Sequence, residues 1–443
     1  MKAMLVIVVL GMAMLTRTIS AASVECSGVP NHFPIADSPP VHVRDVANGK
    51  LYMAEGEHVN PSIKTVHVYG SPYEMGKAYG ELLGEDIANL IHESLKWVEG
   101  LAPNILPKPI QNQIIEKGVK ATLDWTWDHT KNYTPYWFKD EMQGVADGAG
   151  LDVQNVIRAN MIPELVQAAC SMFGAWGQAI KNTDGTLVQL RALDWNVDGP
   201  FQKYPVVTVY HPDSQTGAQP GGHAFANVAW AGFIGSLTGF SSQPMGICEK
   251  VWIHYNGTKP RTGVPWNFLL RDVLQFDQDI DQALQRIANA ERTCSIFVGL
   301  GDGESNTFRA VPYSHDYIEI WNDKNFPAYD NHPIMDDLVW LDKHTQPSTG
   351  DPCMTQLLEY YYGSITPEIT IQNITAQFET GNTMAAIYDY ARNKIYVSNA
   401  GIYGEVPEFE LPAYNRQFTA FDMTALFNEE KPVFASHHSE KNA

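Results

Sequence analysis

Apolar residues recur every three or four positions from Pro72 to about Trp97, at Met75, Ala78, Tyr79, Leu82, Leu83, Ile87, Leu90 and Ile91. That period predicts a long helix with one buried face. Ser71, Pro72 and Glu74 supply its cap, its first turn and a capping-box carboxylate. The same patterning predicts helices over 109–129, 135–149 and 152–166, with Gly148 and Gly150 punctuating the last two. Ahead of them, residues 24–63 are Pro-rich and irregular, with one strand-like patch at Val41–Val46, and Thr65–Gly70 alternates as a strand. At Cys170 the period drops to two. Cys170–Ile180 alternates, Asn182–Gly185 forms a hairpin turn, and Thr186–Leu193 is the second strand. Strands follow at 204–210, 224–229, 231–238 and 244–255, then helices at 264–276 and 278–290. A second hairpin pairs Cys294–Leu300 with Thr307–Val311, and further strands fall at 316–321 and 384–398, around a helical region at 351–377. The pattern is a helical first third followed by an α+β body of antiparallel strands with helices inserted between strand groups.

Composition narrows the function classes. The 443 residues carry a net charge of −20 with 44% apolar residues, a globular balance with no basic face for a nucleic-acid backbone. The charge also opposes docking on anionic membranes. Lys2 followed by the 13 apolar residues Ala3–Leu15 and the small residues Ser20 and Ala22 reads as a secretory signal peptide over 1–22, cleaved before Ser23. The run is shorter than the roughly 20 residues a membrane span needs. Sequons at Asn132, Asn256 and Asn373 agree with a secreted or lysosomal glycoprotein. Five cysteines (Cys26, Cys170, Cys248, Cys294 and Cys353) leave at least one without an internal partner. No spacing of Cys or His suggests a metal, and no cofactor motif is present. Gly299-Leu-Gly-Asp-Gly lies between two strands and reads as a hairpin turn; the carboxylates are dispersed and form no glycosidase pair.

The distinctive arrangement is a Cys that opens a strand directly after a helical segment, then a hairpin, then Arg191-Ala-Leu-Asp194-Trp195. It resembles the cysteine branch of the N-terminal nucleophile (Ntn) hydrolases: the penicillin acyltransferase-like family, bile-salt hydrolases and acid ceramidases. Tyr69–Gly80 is similar to that family's opening Gly-Ser-x-x-Glu-x-Gly-x-x-x-Gly helix. Glu141–Leu151 resembles the helix before the nucleophile, and Phe233–Phe240 the central Gly-rich turn. Asp330-Asn331-His332-Pro333 is similar to the Thr-Asn-His/Ser-Pro element, with Asp for Thr. The resemblance spans roughly residues 65–400 and implies a four-layer αββα sandwich. It further implies a precursor that cuts itself between Ala169 and Cys170, giving a fragment over 23–169 and a catalytic fragment over 170–443 that stay associated. The implied reaction is hydrolysis of a non-peptide amide through an acyl-thioester. The favoured substrates are N-acyl lipids such as ceramides or N-acylethanolamines, with a lipid-presenting protein as a partner and no cofactor or metal.

The chemistry can be argued from the residues. A thiol with a pKa near 8.5 needs activation. Once Ala169–Cys170 is cut, the α-amine of Cys170, with an ordinary pKa of about 7.7–8.0, serves as the base, so no catalytic His is required. A turn at Leu193–Trp195 is expected to bring both Arg191 and Asp194 to Cys170, Asp194 holding the α-amine and Arg191 holding Asp194 charged and contacting substrate. By resemblance Asn331 donates to the oxyanion. Glu249 either supports the site, where relatives place an Asn, or makes a core ion pair with Lys250 or another base. His332 contacts substrate or makes a structural hydrogen bond. Taken singly, these residues have plainer readings: a surface ion pair, a turn, a core thiol. Their shared order and context favour catalysis. Ester cleavage of the phospholipase B type, acyl transfer, and a non-catalytic secreted binding protein are the alternatives. With Cys170 free, Cys26 is expected to join Cys353, as acid ceramidases join their two fragments. Cys248 and Cys294 either pair or stay reduced.

Overall fold

The computed structural model describes residues 26–433, except 60, 102–107, 167, 182–184, 196, 198, 215–219, 254, 258–260 and 345–350. Residues 1–22, read above as a signal peptide, lie outside the described residues. Among the described residues fifteen strands make two sheets. The first nine-stranded sheet opens with β1 (Val41–Val46), β2 (Gly49–Ala54) and β3 (Ile63–Gly70). It continues with β6 (Pro205–Pro212), β7 (Phe225–Trp230), β8 (Gly239–Ser241), β9 (Met245–Val251), β10 (Ser295–Asp302) and β11 (Thr307–Ser314), in that spatial order. All its neighbours are antiparallel except β3 and β6. The six-stranded sheet runs β12 (Leu338–Leu341), β4 (Ala169–Ala175), β5 (Val188–Asp194), β13 (Met384–Asp389), β14 (Lys394–Asn399) and β15 (Thr419–Asp422).

Helices α1 (Pro72–Leu101), α2 (Lys108–Lys117), α3 (Val119–Thr130), α4 (Tyr136–Ala149) and α5 (Val153–Leu165) precede β4. α1 packs on the nine-stranded sheet together with α6 (Trp266–Phe276) and α7 (Ile280–Asn289), α3, α4 and α5 pack on α1, and α8 (Cys353–Tyr361) with a helical turn over 367–375 covers the other sheet. Alternation along β4 and β5 explains the layering. Cys170, Met172 and Leu193 belong to the core between the sheets, whereas Phe173, Leu190 and Ala192 pack with Met354, Leu357 and Ile374 beneath the outer helices. The expected four-layer αββα sandwich is therefore present.

The Gly pattern of α1 has a packing cause. A Cβ at Gly76 or Gly80 would meet the carbonyl oxygens of Glu141 or Val145 of α4, and one at Gly144 or Gly148 would meet those of Tyr73 or Lys77. The two backbones touch, which brings α1 under the sheet at the point where it walls the site. The helix expected over 109–129 is two helices broken at Gly118, whose φ of 82° no ordinary helical residue adopts. The segment ahead of Cys170 also supplies β1–β3, one edge of the larger sheet.

The strand expected over 231–238 is instead a loop. Its apolar residues are buried, and side chains take much of the place of a strand ladder: Asn160 holds Gly232 O and Ile234 N, Asn227 holds Gly235 O, and Tyr79 Oη accepts from Gly232 N. Residues 316–321 form only isolated bridges at Ile318 and Trp321. Cys26 and Cys353 form a disulfide, while Cys170, Cys248 and Cys294 are free. Among the described residues no helix is long and apolar enough to cross a membrane.

Candidate active site

Helix α5 ends at Leu165, and four residues later the chain enters β4, so Cys170 sits at the start of an inner strand. In register, Ala169 faces Asp194, Cys170 faces Leu193 and Met172 faces Arg191. Cys170 is fully buried. Burial pushes its thiol well above the ordinary range, and the Glu249 carboxylate pushes it further; Arg191 and Lys250 pull it back.

Arg191 and Asp194 do not pair, contrary to expectation. β5 stays regular through Asp194, so residues three apart on it fall on opposite faces. Arg191 instead points into the core between the sheets and joins Glu249 of β9, Nη2 to Oε1 at 2.9 Å, with both side chains buried. Glu249 therefore makes the core ion pair, with Arg191 rather than Lys250. Nε and Nη1 of Arg191 and Oε2 of Glu249 are buried without a partner. Such N–H groups beside Cys170 are charge-assisted donors suited to a thiolate or an oxyanion. Cys170 and Glu249 hold the guanidinium protonated against the cost of its burial.

Asp194 is fixed from the other side. Thr380 Oγ1 donates to its Oδ2 at 2.6 Å, and the amides of Gly381 and Asn382 donate to Oδ1 at 2.8 and 3.3 Å. Burial raises this carboxyl, opposed by Lys343 and by those donors. Asn382 Oδ1 also accepts from the Trp195 amide at 2.8 Å. Thr380 and Asn382 were not singled out in the sequence; the only signal was the turn chemistry of Thr380-Gly-Asn-Thr. Lys250 was missed as a site residue too. It is buried, burial lowers its pKa, and Cys170, Asp342, Asp194 and Glu249 oppose that shift.

Asn331 lies in the loop before β12, half-buried, with its main-chain oxygen taken by Thr355 Oγ1 of α8. Among the described residues no hydrogen bond joins it to Cys170, Arg191, Asp194 or Glu249. His332 is a structural group: its ring stacks on Trp340 at 3.5 Å and its Nε2 lies 2.8 Å from the Trp340 carbonyl. Asn132 and Asn256 are exposed, and Asn373 is half-buried in the helical turn, within reach of Gln377 Nε2.

A narrow apolar pocket, partly open to solvent, adjoins this cluster. It is lined by Glu249, Leu193 and Trp195, by Leu90, Ile91 and Ser94 of α1, and by Val166 and Ala168, which precede the Ala169–Cys170 bond in the chain.

No family model matches the chain. It is 42% identical to protein dcd1A of Dictyostelium discoideum over 433 residues, covering 93% of this chain and 96% of that one. The chain belongs to the dcd1A family. Dictyostelium dcd1B is 40% identical over 420 residues, 90% of this chain and 82% of the relative. Among solved structures the fold is similar to a Caenorhabditis elegans N-acylethanolamine-hydrolyzing acid amidase ortholog, at TM-score 0.36 and 11% identity, covering 56% of this chain and 98% of that one. It is also similar to penicillin V acylase from Agrobacterium tumefaciens, at TM-score 0.36 and 10% identity, covering 58% and 86%.

Proposed function

We propose that this dcd1A-family member is an Ntn cysteine amidohydrolase, exported through the secretory pathway, which cuts its own Ala169–Cys170 bond and then hydrolyses the amide of an N-acyl lipid. The observation that carries the reading is the placement of Cys170. It opens an inner strand beside a buried Arg191–Glu249 pair, with a rigidly held Asp194 opposite the scissile residue and an apolar cavity alongside.

In the precursor the Cys170 thiol attacks the Ala169 carbonyl, the acyl group moves from nitrogen to sulfur, and water releases Ala169 as a carboxylate. The free α-amine then takes the thiol proton when a substrate amide is attacked. It returns that proton to the leaving amine as the thioester forms, and then draws one from the water that resolves the thioester. Asp194 accepts from the α-amine and fixes its lone pair. The unpartnered Nε and Nη1 of Arg191 offset charge on sulfur or on the carbonyl oxygen. The Asn331 amide is the proposed second oxyanion donor, on the strength of its Asp-Asn-His-Pro context. The apolar cavity suits a hydrocarbon acyl chain.

The test is hydrolysis of N-acylethanolamines and ceramides by the wild-type chain and by Cys170→Ala. The reading requires free fatty acid from the first and none from the second. Equal release from both, or none from either across an amide and ester panel, defeats it.

A further inference from the structure

The cavity wall holds a chemical contradiction that a plain hydrocarbon does not resolve. Ser94 Oγ, Trp195 Nε1 and Trp230 Nε1 belong to residues that line it, and all three atoms are buried with no hydrogen-bond partner. Ser94 is 1% exposed and Trp230 5%. Phe201 bridges the two indoles, packing against Trp195 at 4.7 Å and against Trp230 at 4.8 Å. Trp195 meets Trp97, one turn beyond Ser94 on α1, at 4.8 Å. Two fixed N–H donors and one hydroxyl that both donates and accepts match an alcohol oxygen.

The cavity also declares which side of the amide it serves. Val166 and Ala168 line it, and they precede the Ala169 carbonyl, so the pocket lies on the acyl side of the bond that Cys170 attacks.

We propose that this pocket selects an acyl chain carrying a hydroxyl group, seated between Ser94, Trp195 and Trp230. The proposal deepens the amidase reading and rests on it for the role of the pocket, but the binding preference can be measured without turnover. Leaving a buried donor unsatisfied costs roughly 5- to 150-fold in affinity, and a site built around a substrate hydroxyl rejects the analogue that lacks it.

The experiment is calorimetric titration of the full-length Cys170→Ala chain, which keeps the uncut wall. The ligands are N-methyldodecanamide and its positional monohydroxy isomers. One narrow range of hydroxyl positions should bind at least about tenfold tighter than the parent amide. Ser94→Ala combined with Trp230→Phe should cut that advantage below about threefold and leave the parent's affinity in place. The positional series in the unvaried wall is decisive even where the double variant folds poorly. The proposal is overturned if no isomer outbinds the parent, or if the advantage survives in a folded double variant. It is equally overturned if the preference appears only with N-dodecylacetamide hydroxylated on its amine-side chain. Absence of amide turnover in the wild type would defeat the amidase reading and leave a positive binding result standing.

Discussion

Replacing Arg191 by Met tests whether the buried ion pair serves the fold, the chemistry or both. Two unit charges 2.9 Å apart attract by about 6 kcal/mol at an effective dielectric of about 20. Most of that offsets desolvation, since neither side chain is more than 2% exposed. Removing one partner strands the other, which costs about 3–5 kcal/mol. Burial already raises the Glu249 carboxyl, and Arg191 is the largest influence opposing it. Without Arg191 the carboxyl rises further and keeps its proton to higher pH. The folded chain then binds more protons than the unfolded one, so stability falls as pH rises. Arg191→Met should therefore lose about 3–5 kcal/mol at pH 7.5 and clearly less at pH 5. Arg191→Met with Glu249→Leu should return to within about 1 kcal/mol of wild type. Neither variant should cut itself, because the donors at Cys170 are gone. Urea unfolding at both pH values and electrophoresis of the fragments read the two effects separately. A double variant as unstable as the single one would refute the energetic argument, and self-cleavage at the wild-type rate would refute the chemical one.

Asp272 of α6 is buried and held at about 7 against an ordinary 3.8, chiefly by burial. Asp272→Asn should stabilise the chain at pH 7.5 by up to ~4 kcal/mol and leave it unchanged at pH 3.5, since the carboxyl is a penalty only once ionised; equal effects at both would contradict this. The Cys26–Cys353 disulfide crosses the proposed cut, so the cleaved protein should run as one band without reductant and two with it, and Cys26→Ser should show two bands in both lanes. Asn331→Ala should lower turnover by about 10²-fold or more with KM little changed, whereas Asn415→Ala serves as the control; equal losses would indicate general destabilisation.

Much of the site was legible because its signals are local. The change of period at Cys170, the Arg-x-x-Asp on the paired strand and the cap at Ser71 each depend on neighbours within a few residues. What escaped depends on distance. Glu249 meets Arg191 from a strand 58 residues on, and Thr380 reaches Asp194 across 186. No periodicity encodes either contact. The loop 231–238 was misread because burial makes a sequence apolar whether a strand or the amides of Asn160 and Asn227 satisfy its backbone. β2, β8, β12 and β15 were missed for a related reason: each is short or lies among Pro-rich or polar residues, and pairing with an established strand fixes it. The pairing of Arg191 with Asp194 failed on the pleat itself, because positions three apart on a strand face opposite ways.

The central claim is that Cys170 becomes an N-terminal nucleophile, and N-terminal sequencing of the purified protein tests it most directly. The 147 residues of 23–169 and the 274 of 170–443 correspond to about 16 and about 31 kDa of polypeptide. The account predicts that the larger fragment begins Cys-Ser-Met-Phe and that Cys170→Ala yields a single uncut chain. A fully active wild-type protein that remains one chain would contradict it.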